Sequence, residues 1–299
     1  MHPAISSNIP VIIFLSSLVL IACLIKYWGW STKLSKKKSP LTQDLLRGPG
    51  DSLRIKIDDM TTDILAYLTI TIVIPLIGYA SVLSQSMAKG KLPNTFTFAF
   101  IAVISLCIVG FMLYKTYRTL KLRRQYSLGL EAEVAVGQEL NLLMRDGYWV
   151  FHDFPADNFN IDHIVIGKNG IFAVETKGRP KRFNPNGKVD AEVVFDGSKL
   201  TFPGWSETKP IEQAQRQAKW LQDWLTKAIG QTVNTQPVLA LPGWYVKRTT
   251  QNGLPVINGK NPGKLFEKYG TQLISEQLIN QIVYQIEQKC RTVAPRSYV

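Results

Sequence analysis

The chain has 299 residues, is 45% hydrophobic with a mean hydropathy of zero, and carries a formal net charge of +13. Its three cysteines, Cys23, Cys107 and Cys290, have neither disulfide nor metal-ligand spacing, which excludes a disulfide scaffold and a cysteine-rich metal module. Residues 1–124 hold 15 Lys+Arg against 5 Asp+Glu, or +10, whereas residues 125–299 hold 20 against 17, or only +3, so the basicity is no nucleic-acid signal for the second part.

The N-terminal part contains three uncharged apolar runs, Ile9–Ile25, Ile64–Leu83 and Phe96–Tyr114, of 17, 20 and 19 residues. Runs of that length predict membrane-spanning helices in a lipid bilayer. Pro10 falls in a first turn and Pro75 mid-span, both tolerable positions. Trp28 and Trp30 fit an interfacial belt. Met1–Asn8 has no Lys or Arg, so the first run reads as a retained span and not as a cleaved signal peptide. Buried core helices are the alternative for all three.

Lysine and arginine crowd residues 26–62 and 115–124, while the loop 84–95 holds only Lys89 and Lys91. The positive-inside rule then predicts a multi-pass protein of the cell (inner) membrane, with the N-terminus outside and the C-terminal part cytoplasmic. The predicted division is a membrane region, 1–124, and a cytoplasmic domain, 125–299.

Gln125–Gly129 is expected to be a hinge, followed by a helix from Leu130 to about Met144 that ends at Arg145-Asp146-Gly147. Glu131 and Glu133 stand in its first turn. Acidic residues there complement the helix dipole; alternatively Glu133 faces the next elements and adds a carboxylate to a site.

A strand, Tyr148–Phe154, precedes the most informative stretch. Asn160–Gly167 and Gly170–Lys177 read as two strands joined at Lys168-Asn169. With Lys168-Asn169 central, partners sum to 337 and Asp162 faces Glu175. With Asn169-Gly170 central, they sum to 339 and Asp162 faces Lys177. Either register places Asp162, Glu175 and Lys177 on one face, about 5–8 Å apart, because side chains alternate with period two. Two carboxylates and an ammonium on a buried sheet are costly unless they pair or bind a cation. Paired carboxylates suit Mg²⁺ or Mn²⁺, and the lysine can serve an attacking water or neutralise charge developing on phosphorus. A structural ion pair is the competing reading.

The loop after Lys177 carries Arg179, Lys181 and Arg182, suited to phosphate contacts or simply to solvent. Ala191–Phe195 and Lys199–Phe202 flank Asp196-Gly197-Ser198 as a second hairpin. A helix is predicted from Pro210 to Ile229, with an apolar stripe and with Gln213 near its start, either reaching the site or solvated. Val233–Leu241 reads as a buried strand and Ile274–Gln288 as a last helix. His152 and His163 read as packing residues, His152 without a partner. The whole predicts an α/β fold with one core.

Gly129–Glu133, Ile161–Val165, Gly170–Lys177 and Pro210–Gln213 together resemble the nuclease-related domain, NERD, over roughly residues 127–245. That family is grouped with the PD-(D/E)XK nucleases. The resemblance implies a restriction-endonuclease-like mixed sheet flanked by helices, with Asp162 and Glu175 holding Mg²⁺, Lys177 serving the water, and Glu133 and Gln213 as accessory active-site residues. No proline precedes Asp162, and Gln217 stands where a tyrosine of the RecB-like pattern would fall. The expected function is a membrane-anchored, metal-dependent nuclease acting on nucleic acid, DNA foremost. A non-catalytic nucleic-acid-binding domain and a membrane adaptor that binds other proteins are the alternatives.

Overall fold

The computed structural model describes residues 40–90, 94–183, 189–270 and 273–295, with a few positions between 16 and 27. The predicted first span, Trp28 and Trp30 lie almost wholly outside the described residues. In chain order the elements are β1 (Leu45–Leu46), α1 (Asp51–Lys89), α2 (Thr95–Asn141) and a 3₁₀ turn (Leu142–Asp146). Then follow β2 (Trp149–Pro155), β3 (Asn160–Gly167), β4 (Gly170–Thr176), β5 (Glu192–Phe195), β6 (Leu200–Phe202) and β7 (Trp205–Glu207). The chain ends with α3 (Lys209–Ile229), β8 (Thr235–Ala240), β9 (Tyr245–Arg248), β10 (Val256–Ile257), α4 (Gly263–Lys268), α5 (Glu276–Cys290) and β11 (Arg291–Val293).

These elements form two compact units. One contains Asp58–Arg124; the other contains Leu41–Ile57 with Gln125–Pro295. The second therefore takes in a segment that lies ahead of the second and third apolar runs in sequence.

In the first unit α1 and α2 pack antiparallel. Arg123 Nε donates to Thr61 Oγ1 at 3.0 Å, and Lys115 Nζ lies 5.3 Å from the Tyr67 ring centre. At Gly78 the helices come close: a methyl there would stand 3.0 Å from Ile101 Cγ2. Leu65, Ile72, Phe98 and Leu106 point outward, exposed. Both helices are long and apolar enough to cross a membrane; they are two, not the expected three, among the described residues.

Gln125–Gly129, expected as a hinge, are helical, lying inside α2 from Thr95 to Asn141, and the boundary between the two units falls between Arg124 and Gln125. Nothing in that stretch compels a break. It contains no proline, and one glycine inside a helix costs only about 1 kcal/mol.

The second unit is a mixed α/β layer structure. Its main sheet has the order β10-β8-β4-β3-β2, with β2, β3 and β4 antiparallel and β4, β8 and β10 parallel. All seven residues of β4 are buried, as expected of a strand covered on both faces. One face packs Val165, Phe172, Val174 and Val238 against Val136 and Leu140 of α2 and Leu143 of the 3₁₀ turn. The other packs Ile164, Ile166, Ile171 and Ala173 against Ala218, Leu221 and Leu225 of α3 and Ile282 and Ile286 of α5. Pro237 sits inside β8, but β10 covers only Leu239 and Ala240. At Pro237 the strand has a neighbour on one side only, where proline is tolerated.

A second sheet, β7-β6-β5-β9, contains the predicted hairpin, closed by Asp196 N donating to Lys199 O. It packs Val193, Phe195, Leu200 and Phe202 onto Ile211 and Ala214 of α3 and onto Trp244. Residues 41–57 join through β1, paired with β11, and through a buried contact described below.

Candidate active site

The β3–β4 ladder runs from Gly167↔Gly170 to His163↔Val174, which selects the register summing to 337 with Lys168-Asn169 at the turn. Beyond His163 the two strands part. There Asp162 Oδ2 accepts a hydrogen bond from Thr176 N at 2.7 Å, so a side chain takes over where backbone pairing ends. β4 continues alongside β8 through Glu175↔Leu239 and Thr176↔Ala240, and Lys177 N donates to Ala240 O at 2.9 Å. The splayed end of the hairpin thus carries Asp162 on one arm and Glu175 and Lys177 on the other.

Lys177 Nζ is ion-paired with Glu175 Oε1. Glu175 is 1% exposed, and its Oε2 is buried with no hydrogen-bond partner. Glu133 reaches the same place from α2 and is 8% exposed. Burial first, then the charges of Asp153 and Glu175, push the Glu133 carboxyl up to about 8, with Lys177 and Lys56 opposing. Asp162 is raised well above the usual carboxylate range, by burial first and then by Glu175 and Glu133. Asp162 as a whole residue is half-buried. Glu133, Asp162, Glu175 and Lys177 are therefore within electrostatic reach of one another.

Ionised together, three carboxylates against one lysine would carry uncompensated negative charge, which is why Glu133 and Asp162 hold their protons, and Glu175 keeps an unused oxygen. Such oxygen donors are of the chemical kind that suits a hard divalent cation. Among the described residues no three Asp, Glu, His or Cys side chains converge as a closed metal cage. A pair of carboxylates with waters completing the shell still fits, since Mg²⁺ is commonly held by one or two carboxylates.

Asp153 borders this group and went unrecognised in the sequence. It is 1% exposed and adopts φ 49°, a left-handed conformation that aspartate tolerates better than most side chains. Its Oδ2 accepts from Ser52 N at 2.8 Å and lies 3.1 Å from Arg47 Nε. Its Oδ1 accepts from Ser52 Oγ at 2.7 Å and from Asn160 Nδ2 at 2.9 Å. One side chain thereby fastens residues 47–52 to β2 and to the start of β3. The only local trace is Gly48-Pro49-Gly50-Asp51-Ser52, a turn and helix-start signal whose partner lies 101 residues on.

Gln213, the fifth residue of α3, is half-buried and makes no hydrogen bond to these carboxylates. Gln217, one turn later, is buried and donates to Asn160 O at 3.2 Å. Arg179 is held by both its Nε and Nη2 on Glu207, at 2.7 and 2.9 Å. Its guanidinium is already committed within the fold. Lys181 and Arg182 are exposed instead.

The histidines also differ from expectation. His152 is not alone: its Nδ1 lies 2.8 Å from His163 Nδ1, and its Nε2 lies 2.9 Å from Asn141 Oδ1. Burial pushes the His152 imidazole down to about 4, and it pushes His163 well below its usual value.

The family model of the nuclease-related domain, NERD, matches residues 128–242, a stretch that contains Glu133, Asp162, Glu175, Lys177 and Gln213 and leaves out residues 41–57. No curated protein and no solved structure matches the chain.

Proposed function

We propose that the chain is a membrane-anchored, divalent-metal-dependent nuclease that hydrolyses phosphodiester bonds of nucleic acid, DNA foremost, on a restriction-endonuclease-like core. The observation that carries this reading is the gathering of Glu133, Asp162, Glu175 and Lys177 at the splayed end of one hairpin, with a buried carboxylate oxygen left unpartnered. Asp162 and Glu175 would hold Mg²⁺ or Mn²⁺, with Glu133 as a further ligand or as an outer carboxylate. Such a cation supplies Lewis acidity toward phosphate oxygens and lowers the pKa of water. Lys177 orients the attacking water from the solvent side, where its side chain is 23% exposed, and its charge offsets the negative charge that develops on phosphorus. Gln213, one turn into α3, has an accessory place beside the substrate.

The two apolar helices are the proposed anchor, and the distribution of lysine and arginine supports a cytoplasmic catalytic unit with the N-terminus outside. Anchoring confines cleavage to nucleic acid near the membrane. The test is cleavage of labelled DNA and RNA by the full-length chain in micelles, with Mg²⁺, Mn²⁺ or EDTA, alongside Lys177→Ala. Metal-dependent cleavage that falls at least 100-fold in the variant, on the order of what one electrostatic catalytic group supplies, is the expected result. Cleavage equal in the two proteins would refute the role of Lys177, and none from either would refute the nuclease.

A further inference from the structure

Beyond Lys177 the chain follows the second sheet, and its backbone is fixed at several points. The Arg179–Glu207 pair ties it to β7, and Trp244 Nε1 donates to Arg179 O at 3.1 Å. Asp190 N donates to Arg182 O at 3.2 Å, and Phe183 forms an isolated antiparallel bridge with Val189. The side chains borne by this fixed backbone point out. Lys181 Nζ lies 6.0 Å from the ring centre of Trp244, and the Arg182 guanidinium lies 5.3 Å from that of Trp205. Among the described residues neither cation is paired with a carboxylate. Phe183 is 75% exposed.

Two unpaired cations and a bare aromatic ring on a braced segment match a phosphate backbone with an unstacked base beside it. From Lys177 to Phe183 the chain spans at most about 22 Å, so the segment lies within reach of the carboxylates. A duplex keeps its bases stacked and offers nothing to an exposed ring. It is held chiefly by neutralising many phosphates, and a net charge of +3 over residues 125–299 is small for that. We infer that Lys181, Arg182 and Phe183 form a docking strip for single-stranded nucleic acid, which makes single strands the substrate class of the site proposed above. This inference rests on that reading for its functional sense but not for its test. Arg179 is the brace of the strip and not one of its phosphate contacts.

Binding can be measured without turnover. Fluorescence anisotropy of labelled oligo-dT, oligo-U and a duplex of equal length, with the full-length protein in micelles and EDTA, reads the strip directly. Tighter binding of single strands than of duplex is expected, weakened roughly 5- to 150-fold by Phe183→Ala, as loss of one stacked base requires, and restored by Phe183→Tyr. Lys181→Ala combined with Arg182→Ala should flatten the slope of log Kd against log salt by about 1.4, two phosphates' worth on a single strand. The two oligonucleotides then tell DNA from RNA. Duplex bound as tightly as single strands, or Phe183→Ala binding like the wild type, overturns the strip. Strip-dependent binding with no metal-dependent cleavage would uphold the strip while refuting the nuclease, so the two failures are distinguishable.

Discussion

Replacing Asp153 by asparagine removes one charge and turns one accepting oxygen into a donating amide, while keeping the side chain's shape and its tolerance of φ 49°. The charge lost is the partner of Arg47, whose side chain is 14% exposed against 2% for Asp153. Breaking a buried pair by removing one member costs about 3–5 kcal/mol, and the residual exposure of Arg47 brings the expectation to about 2–4 kcal/mol. Asp153→Ala should cost more. It strips Ser52 N, Ser52 Oγ and Asn160 Nδ2 all of their acceptor, where asparagine keeps one accepting oxygen, and it places alanine in a left-handed conformation worth another 1–2 kcal/mol, roughly. Urea unfolding of the full-length chain, followed by tryptophan fluorescence, measures both. Five of the seven tryptophans, Trp149, Trp205, Trp220, Trp224 and Trp244, lie in the unit concerned, so the signal reports on it. A loss under about 1 kcal/mol for Asp153→Asn, or equal losses for the two variants, would refute the idea that this charge fastens residues 47–52 to the site.

Glu133 gives a pH prediction. Its carboxyl is raised from 4.5 to about 8, so its protonated form contributes stability that is complete below pH 4.5 and lost as pH rises through about 8. Metal-free protein should therefore lose stability across that window in calorimetry, and Glu133→Gln should flatten the profile. A divalent cation that binds the carboxylates would do the same by displacing the proton; an unchanged profile in Mg²⁺ would count against Glu133 as a ligand. Gly178→Ala tests how closely α2 approaches the end of β4, since a Cβ there would stand 2.6 Å from the Leu128 carbonyl oxygen. A loss of about 1–3 kcal/mol in urea unfolding is expected; a neutral result would mean that α2 can shift away freely.

How much of this was legible in the sequence depended on how local the cause was. The β3–β4 hairpin could be placed to within one register step, because a two-residue turn and β-branched alternation fix pairing locally. The shared face of Asp162, Glu175 and Lys177 followed from that alternation alone, and the ion pair and the Thr176 contact agree with it. The Arg47–Asp153–Ser52 contact could not be read, because no periodicity links partners so far apart. β7 and β10 are three and two residues long, too short for a pattern. The unbroken α2 was missed for a different reason. Gly129 and the polar residues around it read as a joint, yet helix propensity over the whole run outweighs one glycine. Arg179 looked free to meet phosphate because its partner, Glu207, lies on one of those short strands.

With the Asn141 amide oxygen facing His152 Nε2, the histidine pair has one arrangement of hydrogens. Neutral His152 donates from Nε2 to the Asn141 oxygen, which leaves its Nδ1 bare; that nitrogen can only accept, so His163 must be protonated at Nδ1. His163 Nε2 is then an empty lone pair, the less costly way to leave a ring nitrogen buried without a partner. The tautomers of two rings on neighbouring strands are thus dictated by one amide at the end of α2. Leucine at position 141 would release both, and two sharp ring-nitrogen environments in ¹⁵N spectra would give way to exchanging mixtures.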